Sequence, residues 1–534
     1  MAVIMYRGIE WLRDTVLLSF GWRRGLIAVM AGVLSVLAIP PFLFFPLLGL
    51  TFTVLVWLID SLSDHRGWRG YRGAFAVGWL FGFGYFLAGL WWIGAAFLVE
   101  SDVFGWLLPV AVAGLPALLA LFTGIGVALA RLMWSATPAR AAALAAGIGL
   151  SEYLRGTILT GFPWNAFGYA LTATQAQMQA ASLIGINGLT VLAVFLASAP
   201  AIWLARDRVG WKWRGVVVGG AVFLLFAQFA YGELRLLTAD SANVPGVRLR
   251  LVQPHLTQAE RLDRTRHADI LERYLRLSRS APGAAEPTHI IWPESALPFR
   301  LGDTPQALTR ITGILAPGSV LMIGMLRGDD LDQRKVLNSL YVLNDKADIL
   351  DRYDKVHLVP FGEYLPWSDL LSAIGLEPLT RIFAFVPGQT RGPVSAGKAP
   401  PFIALICYEA IFSSEIVRGP RSGWIVNMSD DSWFGDTPGP RQHLHQARLR
   451  AVEQGLAVAR VTTTGKSALI DPYGAIIKEL EIGAEGVIDA SLPQALAAPP
   501  FALWGDGAFW AMWISLAAFA SITRISLVFR QNNF

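Results

Sequence analysis

The sequence is poor in cysteine and in charge. Its 534 residues include a single cysteine, Cys407, and charged residues make up 16% of the chain. One cysteine excludes a disulfide within the chain and a zinc site built from several cysteines. Soluble globular proteins carry about 25% charged residues. With 54% hydrophobic residues and a mean hydropathy of +0.47, this chain is not expected to be water-soluble throughout.

The charge that is present is unevenly distributed. It is sparse before about residue 235, ordinary from there to about residue 490, and sparse again near the C-terminus. We therefore predict a helical membrane domain over residues 1–235, a water-soluble domain over 246–491 and a C-terminal membrane helix over 503–525. The net charge of +5 does not indicate a nucleic-acid partner, because much of the arginine lies in short loops between apolar runs.

Apolar runs long enough to cross a bilayer as a helix, about 20 residues each, recur through the first domain. The first two are joined by "IPPF", where paired prolines break a helix, and we interpret the first as an uncleaved helix rather than a signal peptide. Glu152 and Arg155 lie near the end of the fifth run, where we favour a structural ion pair. The predicted spans are 25–41, 43–61, 73–98, 103–130, 139–157, 181–204 and 213–232, with an eighth near 506–525.

Basic residues occur in alternate connections between these spans. Positively charged loops face the cytoplasm, so the pattern predicts a cytoplasmic N-terminus and a soluble domain on the opposite side of the membrane. The eighth span would return the C-terminus, with Arg524 and Arg530, to the cytoplasm. The basic connections contain Arg7, Arg13, Arg23 and Arg24; Arg66, Arg69 and Arg72; Arg131 and Arg140; and Arg206, Arg208, Lys212 and Arg214.

The soluble domain alternates strand-like and helix-like segments. The segments "VRLRLVQ" (247–253) and "THIIWPES" (288–295) have the patterns of strands, as do "GSVLMIGMLRG", "NSLYVLND", "ILDRYDK", "FIALICYE" and "GWIVNMSDDSW". The segments "RTRHADILERYLRLSRS" and "HLHQARLRAVEQGLAVARV" are predicted to be helical. This alternation indicates an α/β fold, in which ligands bind where strands end and loops begin.

Three chemically capable residues lie at such strand ends: Glu294, Lys355 and Cys407. Taken singly, each has an ordinary interpretation: Glu294 is an acid before a turn, Lys355 is a solvated lysine, and Cys407 is a small buried hydrophobe. Together they supply the parts of a nucleophilic site. A carboxylate can accept the thiol proton, and an ammonium can stabilise first the thiolate and then the oxyanion of a tetrahedral intermediate.

The chain order Glu294, Lys355, Cys407 resembles the Glu-Lys-Cys triad of the nitrilase (carbon–nitrogen hydrolase) superfamily. The segments "YDKVHLVPFGEYLP", "ICYEAIF", "SWFGDTPGPRQH" and "GFPWNAFGY" (161–169) are similar to those of the apolipoprotein N-acyltransferase family. The resemblance covers nearly the whole chain. It implies an α/β nitrilase-like αββα sandwich in the periplasm, carried on about eight transmembrane helices of the bacterial inner membrane.

The resemblance also implies an activity. The family transfers an acyl chain from a phospholipid, typically the sn-1 chain of phosphatidylethanolamine, to the amino group of the diacylglyceryl-modified N-terminal cysteine of an apolipoprotein, through a thioester. Carried over by position, Glu294 is the general base, Lys355 the stabiliser of thiolate and oxyanion, and Cys407 the nucleophile. The matching residues that support the site are Glu363, Tyr408 and Glu409. No metal or cofactor is implied, the bilayer is a partner, and a monomer is expected.

The sequence departs from the family pattern at two positions. Leu262 stands where the family usually has tryptophan, and Asp430 stands where it usually has asparagine. The first departure concerns how lipid is gripped, and the second adds a negative charge near the site. We also predict that the apolar segment 358–388 is either a lid over the site or a covered core loop.

Three alternatives remain open from the residues alone. A membrane-tethered amidase or nitrilase would share the triad but would need no lipid donor. A transporter with a regulatory soluble domain would place charged residues within several spans, which this sequence does not do. An inactive scaffold would not need an intact triad.

His443 and His445 are two positions apart, so on a helix they point in different directions and do not suggest a metal site.

Overall fold

The chain forms two compact units. The computed structural model describes residues 2–62, 67–99, 101–205, 211–239, 242–279, 286–299, 304–328, 335–366, 385–416 and 421–532. The first unit combines Met1–Thr238 with Pro499–Phe534, and the second is Ala239–Ala498. Residues 367–384 of the predicted lid lie outside the described residues, and the placement of the lid stays a prediction.

The first unit is helical. Its apolar sequence forms helices because a membrane offers no partner for free backbone N–H and C=O groups, so each segment must satisfy them internally. The main helices are Ala2–Leu17, Gly21–Ser35, Phe45–Asp60, Trp68–Leu90, Leu108–Leu132, Arg140–Thr157, Ala181–Trp203, Trp211–Leu237, Pro500–Trp504 and Gly507–Asn532, with the single turns Ser101–Phe104 and Gln175–Met178.

Long apolar helices mark this chain as a membrane protein. Within the described residues, six helical segments are long and apolar enough to cross a bilayer, and Phe45–Asp60 is a shorter apolar helix. The helix Arg140–Thr157 covers the predicted fifth span but contains Arg140, Glu152 and Arg155, and it is not among the six. The six are Gly21–Ala38, Trp68–Leu98, Gly105–Leu132, Ala181–Trp203, Trp211–Leu237 and Gly507–Leu527.

Glu152 and Arg155 form a buried ion pair one turn apart on their helix. The Arg155 Nη2 and Glu152 Oε2 atoms are 2.6 Å apart, and the two side chains are 1% and 3% exposed. Arg155 also donates to the carbonyl oxygens of Phe162 and, at 2.9 Å, Trp164, and its guanidinium lies over the ring of Phe86. The pair therefore ties the loop that begins "GFPW" to the helix, which is a structural role.

The second unit contains two six-stranded sheets within the described residues. The strand orders are β12-β1-β2-β3-β4-β5 and β11-β10-β9-β8-β7-β6. The strands are β1 Asn243–Gln253, β2 His289–Ile291, β3 Val320–Gly328, β4 Val336–Asn344, β5 Ile349–Asp354, β6 Pro393–Ala396, β7 Ala399–Ile406, β8 Trp424–Ser429, β9 Ala457–Thr462, β10 Ala468–Ile470, β11 Ile476–Glu479 and β12 Gly486–Pro493. The centre of each sheet is parallel, through β1, β2 and β3 and through β7, β8 and β9.

The two sheets pack face to face, and helices cover their outer faces. Successive strand residues point to opposite faces, so Leu251 joins the core between the sheets while Val252 joins the outer core. The helix His267–Ser278 contributes to that outer core, and the helix Pro438–Gln454 covers the other sheet. This arrangement confirms the predicted αββα sandwich.

The predicted strands are present, but one helix prediction is wrong at its end. The sequence pattern predicts that "HLHQARLRAVEQGLAVARV" is helical throughout, whereas the helix ends at Gln454 and the chain continues as β9. Gly455 adopts φ +63°, a left-handed conformation that ends helices and that glycine adopts without steric cost. The apolar residues after it resemble a helical continuation, but they are a strand buried on both faces.

The buried pair in the first unit yields a stability prediction. Replacing Glu152 by glutamine leaves the Arg155 guanidinium without its counter-charge, and breaking a buried pair in this way costs about 3 kcal/mol. We expect Glu152→Gln to lower the Tm of the full-length protein in detergent by several degrees, measured by tryptophan fluorescence. Glu233 is exposed on its helix, and Glu233→Gln is the matched control. Equal Tm values for the two variants would contradict the structural role.

Candidate active site

Glu294 lies just beyond β2 and is fixed by hydrogen bonds from β4 and from the loop after β8. The Asn338 side chain donates to Oε1 at 2.7 Å, and the backbone N–H of Asp430 donates to Oε2 at 2.8 Å. Burial raises the pKa of Glu294, although the nearby Lys355 ammonium acts in the opposite direction. A carboxyl group with a raised pKa is a stronger base than an ordinary glutamate, and it suits proton transfer near neutral pH.

Lys355 follows β5 and is enclosed between two carboxylates. Its Nζ atom donates to Glu363 Oε1 at 2.9 Å and lies 3.7 Å from Glu294 Oε1, with the lysine side chain 1% exposed. Burial alone would lower the pKa of Lys355, but Glu363 and Glu294 raise it overall. The group is therefore a stable ammonium, a fixed positive charge of the kind that stabilises a developing anion.

Cys407 begins the turn Cys407–Ile411 directly after β7. Its backbone has φ +50°, a conformation that a non-glycine residue rarely adopts and that is concentrated at functional sites. The residue as a whole is half-buried. Burial raises its pKa well above the ordinary value, the charge of Glu294 adds to this effect, and Lys355 opposes it. At rest the side chain is thus a thiol, and attack requires a base to remove its proton.

Two supporting residues link these segments. Glu363 accepts from Lys355 and, through Oε2, from the Val359 backbone N–H at 2.8 Å. Glu409 joins the end of β5 to the end of β7 and so fixes Lys355 relative to Cys407. Its four hydrogen bonds come from the Tyr353 hydroxyl at 2.7 Å, the Val356 and His357 N–H groups at 3.0 Å each, and the Ile406 N–H at 2.8 Å.

Tyr408 is buried and packs against two other rings. Its ring meets those of His357 and Phe412 edge-on, at centroid distances of 5.6 and 5.1 Å. The structure thus gives Tyr408, the residue after Cys407, a packing role. All six site residues predicted from the sequence lie in loops at the carboxyl ends of strands or directly after them; their roles in a reaction stay predictions.

A buried network behind Cys407 was not predicted from the sequence. The His443 Nε2 atom lies 3.1 Å from the Cys407 carbonyl oxygen. Burial and the neighbouring Arg460 guanidinium lower the pKa of His443, and the Asp431 carboxylate, 3.1 Å from Nδ1, acts in the opposite direction. A carbonyl oxygen can only accept a hydrogen bond, so Nε2–H donates to it. Arg460 also binds Asp431 at 2.6 Å. The network supports the unusual backbone of Cys407, a different use of His443 from the metal site considered above.

Sequence reasoning also missed Asn338, which anchors the site from the first half of β4. Its side chain donates to Glu294 and, at 3.3 Å, to Glu363, while its backbone carbonyl accepts from the Lys355 N–H at 2.8 Å. Its position within β4 gave no local signal. For metals, the described part of the chain contains no group of three or more His, Cys, Asp or Glu side chains placed to hold an ion.

Comparisons with known proteins cover both units. A family model described as apolipoprotein N-acyltransferase N-terminal domain matches residues 31–199, and one described as carbon-nitrogen hydrolase matches residues 251–499. A protein of Rhodopseudomonas palustris named apolipoprotein N-acyltransferase is 46% identical over 502 residues, 92% of this chain and 93% of that protein. One of the same name from Bradyrhizobium diazoefficiens is 45% identical over 533 residues, 97% of this chain and 98% of that protein.

A solved structure also aligns with part of the chain. It is a mutant amidase from Nesterenkonia sp. AN1 with a covalent adduct at its active-site cysteine, 20% identical, with a TM-score of 0.34, and it covers 48% of this chain and 94% of the amidase.

Gly324 on β3 yields a prediction about the position of Glu294. A Cβ atom at residue 324 would lie 2.5 Å from the Pro293 carbonyl oxygen and 2.6 Å from the Glu294 Cα atom. We expect Gly324→Ala to displace Glu294 and to slow alkylation of Cys407 by iodoacetamide at neutral pH by about 100-fold, the cost of misplacing a reacting group by about 1 Å. The readout is intact mass against time.

Gly392→Ala is the matched control for this change, because a Cβ atom at residue 392 meets nothing within 4 Å. Equal alkylation rates in the two variants would show that the close approach of β3 does not position Glu294.

Proposed function

Since this chain belongs to the apolipoprotein N-acyltransferase family, we propose that it transfers an acyl chain from a phospholipid to the α-amino group of the diacylglyceryl-modified N-terminal cysteine of lipoproteins. The observation that carries this proposal is the convergence of Glu294, Lys355 and Cys407 at the strand ends of the second unit. Lys355 lies 3.7 Å from Glu294, and both charged groups influence the Cys407 thiol.

In the first half-reaction, the Glu294 carboxylate takes the proton of the Cys407 thiol as the sulfur attacks the ester carbonyl carbon of the donor. A C–S bond forms, and the oxyanion of the tetrahedral intermediate is stabilised by the Lys355 ammonium. The intermediate collapses with cleavage of the C–O bond. The leaving glycerol oxygen takes the proton from Glu294, and a lysophospholipid departs from the thioester.

In the second half-reaction, the neutral α-amine of the lipoprotein attacks the thioester carbonyl. An α-amino group has a pKa of about 8, so a useful fraction is unprotonated near neutral pH. Glu294 takes the proton released from nitrogen, the C–S bond breaks, and the departing Cys407 sulfur recovers that proton. The products are an amide and the original thiol, so the enzyme returns to its resting state.

The membrane unit favours acyl transfer over hydrolysis of a small amide. Both proposed substrates carry acyl chains, and moving these chains out of the bilayer would cost about 0.8 kcal/mol per CH₂ group. An enzyme anchored by apolar helices can work on them in place, whereas a small water-soluble amide requires no such anchor. Lipid at the entrance would also exclude water, which protects a thioester that must wait for an amine.

We further propose that the second unit faces the periplasm. The arginine-rich connections alternate with connections that lack basic residues, and short basic loops remain in the cytoplasm. The mature amino terminus of an exported lipoprotein would then meet the site on the side to which it has been exported. Phosphatidylethanolamine and its sn-1 chain are the donor and position that the family resemblance implies.

Intact mass spectrometry tests the proposal, because the sole cysteine makes any adduct unambiguous. The purified full-length protein is incubated with phosphatidylethanolamine and then with a diacylglyceryl-cysteine peptide. We expect Cys407 to gain one acyl chain and to lose it when the peptide is added, with the chain recovered on the peptide amine. Cys407→Ser should form no stable adduct and reduce transfer by roughly 1,000-fold or more.

Two outcomes would contradict the proposal. Cleavage of small amides without any lipid adduct would establish the amidase alternative. Absence of both reactions in protein that unfolds cooperatively on heating would show that Cys407 is a core residue rather than a nucleophile. The Gly392→Ala variant is the control for expression and purification. It changes the same unit, but its added Cβ atom meets nothing within 4 Å.

A further inference from the structure

We propose that Arg261 is a positioning residue for this reaction: it pairs with Asp430 and holds the carbonyl of Ser295, and so it fixes Glu294 and neutralises the Asp430 carboxylate beside it. The inference rests on the proposed role of Glu294 as the base. Arg261 belongs to the short helix Gln258–Leu262, which follows β1, and none of the sequence motifs above includes it.

Arg261 contacts both of the loops that hold Glu294. Its Nη1 atom donates to Asp430 Oδ2, and its Nη2 atom donates to the Ser295 carbonyl oxygen. Asp430 in turn donates its backbone N–H to Glu294, and Ser295 is the residue that follows Glu294 in sequence. One guanidinium therefore bridges the loop that carries Glu294 and the loop that hydrogen-bonds its carboxylate.

The helix that carries Arg261 is itself held in place. Thr257 caps it in a reciprocal pair of hydrogen bonds with Glu260, and Glu260 pairs with Arg273 at 3.1 Å. Gln258 donates to Asp430 Oδ2 at 2.7 Å and to the Ser432 hydroxyl at 2.7 Å. Arg261 is thus presented to Asp430 from a fixed backbone, with its side chain 12% exposed and that of Asp430 8% exposed.

The charge of Asp430 bears directly on Glu294. A carboxylate near a second carboxyl group favours the protonated form of that group, and Asp430 is among the groups that raise the pKa of Glu294. Without Arg261, this effect would be uncompensated. Other ionisable groups also surround Glu294 and this pair. They are Lys355, Glu363, Cys407, Tyr274, the ion pair of Glu260 with Arg273 and that of Asp431 with Arg460.

The expected effect has a definite sign. In Arg261→Gln, the uncompensated Asp430 makes the proton harder to remove from the coupled Glu294 and Cys407 pair, so reactivity of Cys407 appears at higher pH. In Asp430→Asn, the remaining Arg261 cation has the opposite effect. The double variant lacks both charges and should behave as the parent does. The pH at which half of the maximal Cys407 reactivity is reached describes the coupled Glu294 and Cys407 pair rather than either residue alone.

The experiment measures the rate of Cys407 alkylation by iodoacetamide as a function of pH in the full-length protein in detergent. We expect Arg261→Gln to raise the midpoint by roughly 0.5 to 1 pH unit and Asp430→Asn to lower it by a similar amount. The double variant should return to the parent midpoint, and Arg261→Lys, which keeps the charge, should stay near it. A purely structural defect would lower the rate without moving the midpoint.

An unchanged midpoint in both single variants would overturn the inference, as would a double variant that keeps the shift of Arg261→Gln. If Arg261→Gln fails to fold, Asp430→Asn and Arg261→Lys still test the inference. A midpoint that Asp430→Asn leaves unchanged contradicts it, and so does a midpoint that Arg261→Lys moves. Alkylation requires no lipid, so failure of acyl transfer in the parent protein, seen as a missing lipid adduct, is a separate result.

Discussion

The buried ammonium of Lys355 is the charge on which the candidate site depends. An isolated ammonium in a protein interior would lose its proton rather than remain charged. Here Glu363 lies 2.9 Å and Glu294 lies 3.7 Å from the Nζ atom, and together they keep it charged. One cation between two carboxylates leaves an excess of one negative charge. The site can therefore accept one proton while Lys355 stays charged. The two carboxylates that stabilise the ammonium thus include the proposed base, Glu294.

The constraint extends outward through the hydrogen bonds of Glu294. Its two carboxylate oxygens accept from the Asn338 amide and from the Asp430 backbone N–H, groups that do not titrate near neutral pH. The carboxylate can therefore gain and lose a proton while these bonds keep it in place. Because Asn338 also binds Glu363, any shift of β4, which lies between β3 and the edge strand β5, would move both carboxylates and the ammonium between them.

The sequence supports prediction of the site only as far as local patterns reach. Strand patterns and chain order indicate that Glu294, Lys355 and Cys407 follow strands, and the resemblance to a family assigns them roles. Asn338 gives no local signal, because it is one polar residue within a strand. Arg261 meets Asp430 across 169 positions in the sequence, and no periodicity encodes such a contact. The alternation of strand-like and helix-like segments is a local property and indicated an α/β fold, whereas the αββα layering came only from the family resemblance.

The same limit explains the error at Gly455 and the missed use of His443. Apolar residues after Gly455 fit a helical period as well as a strand buried on both faces, and the choice depends on a sheet formed by distant strands. For His443 the sequence pattern only argued against a metal site and assigned no other use. Its neighbours Asp431, after β8, and Arg460, in β9, are brought together only by the fold, and the same fold gives His443 its structural contact with the Cys407 carbonyl.

The raised pKa of Cys407 has a consequence for a chain with one cysteine. The thiolate is the form that oxidants and electrophiles attack, and a site that stored it at rest would expose a lone sulfur to irreversible oxidation. A thiol that loses its proton only to a neighbouring base avoids this, because the reactive form arises when a substrate carbonyl is in place. Glu294, with its own pKa raised by burial, is suited to that transfer. The electrostatics of the site therefore favour nucleophilic attack coupled to proton transfer over a preformed thiolate.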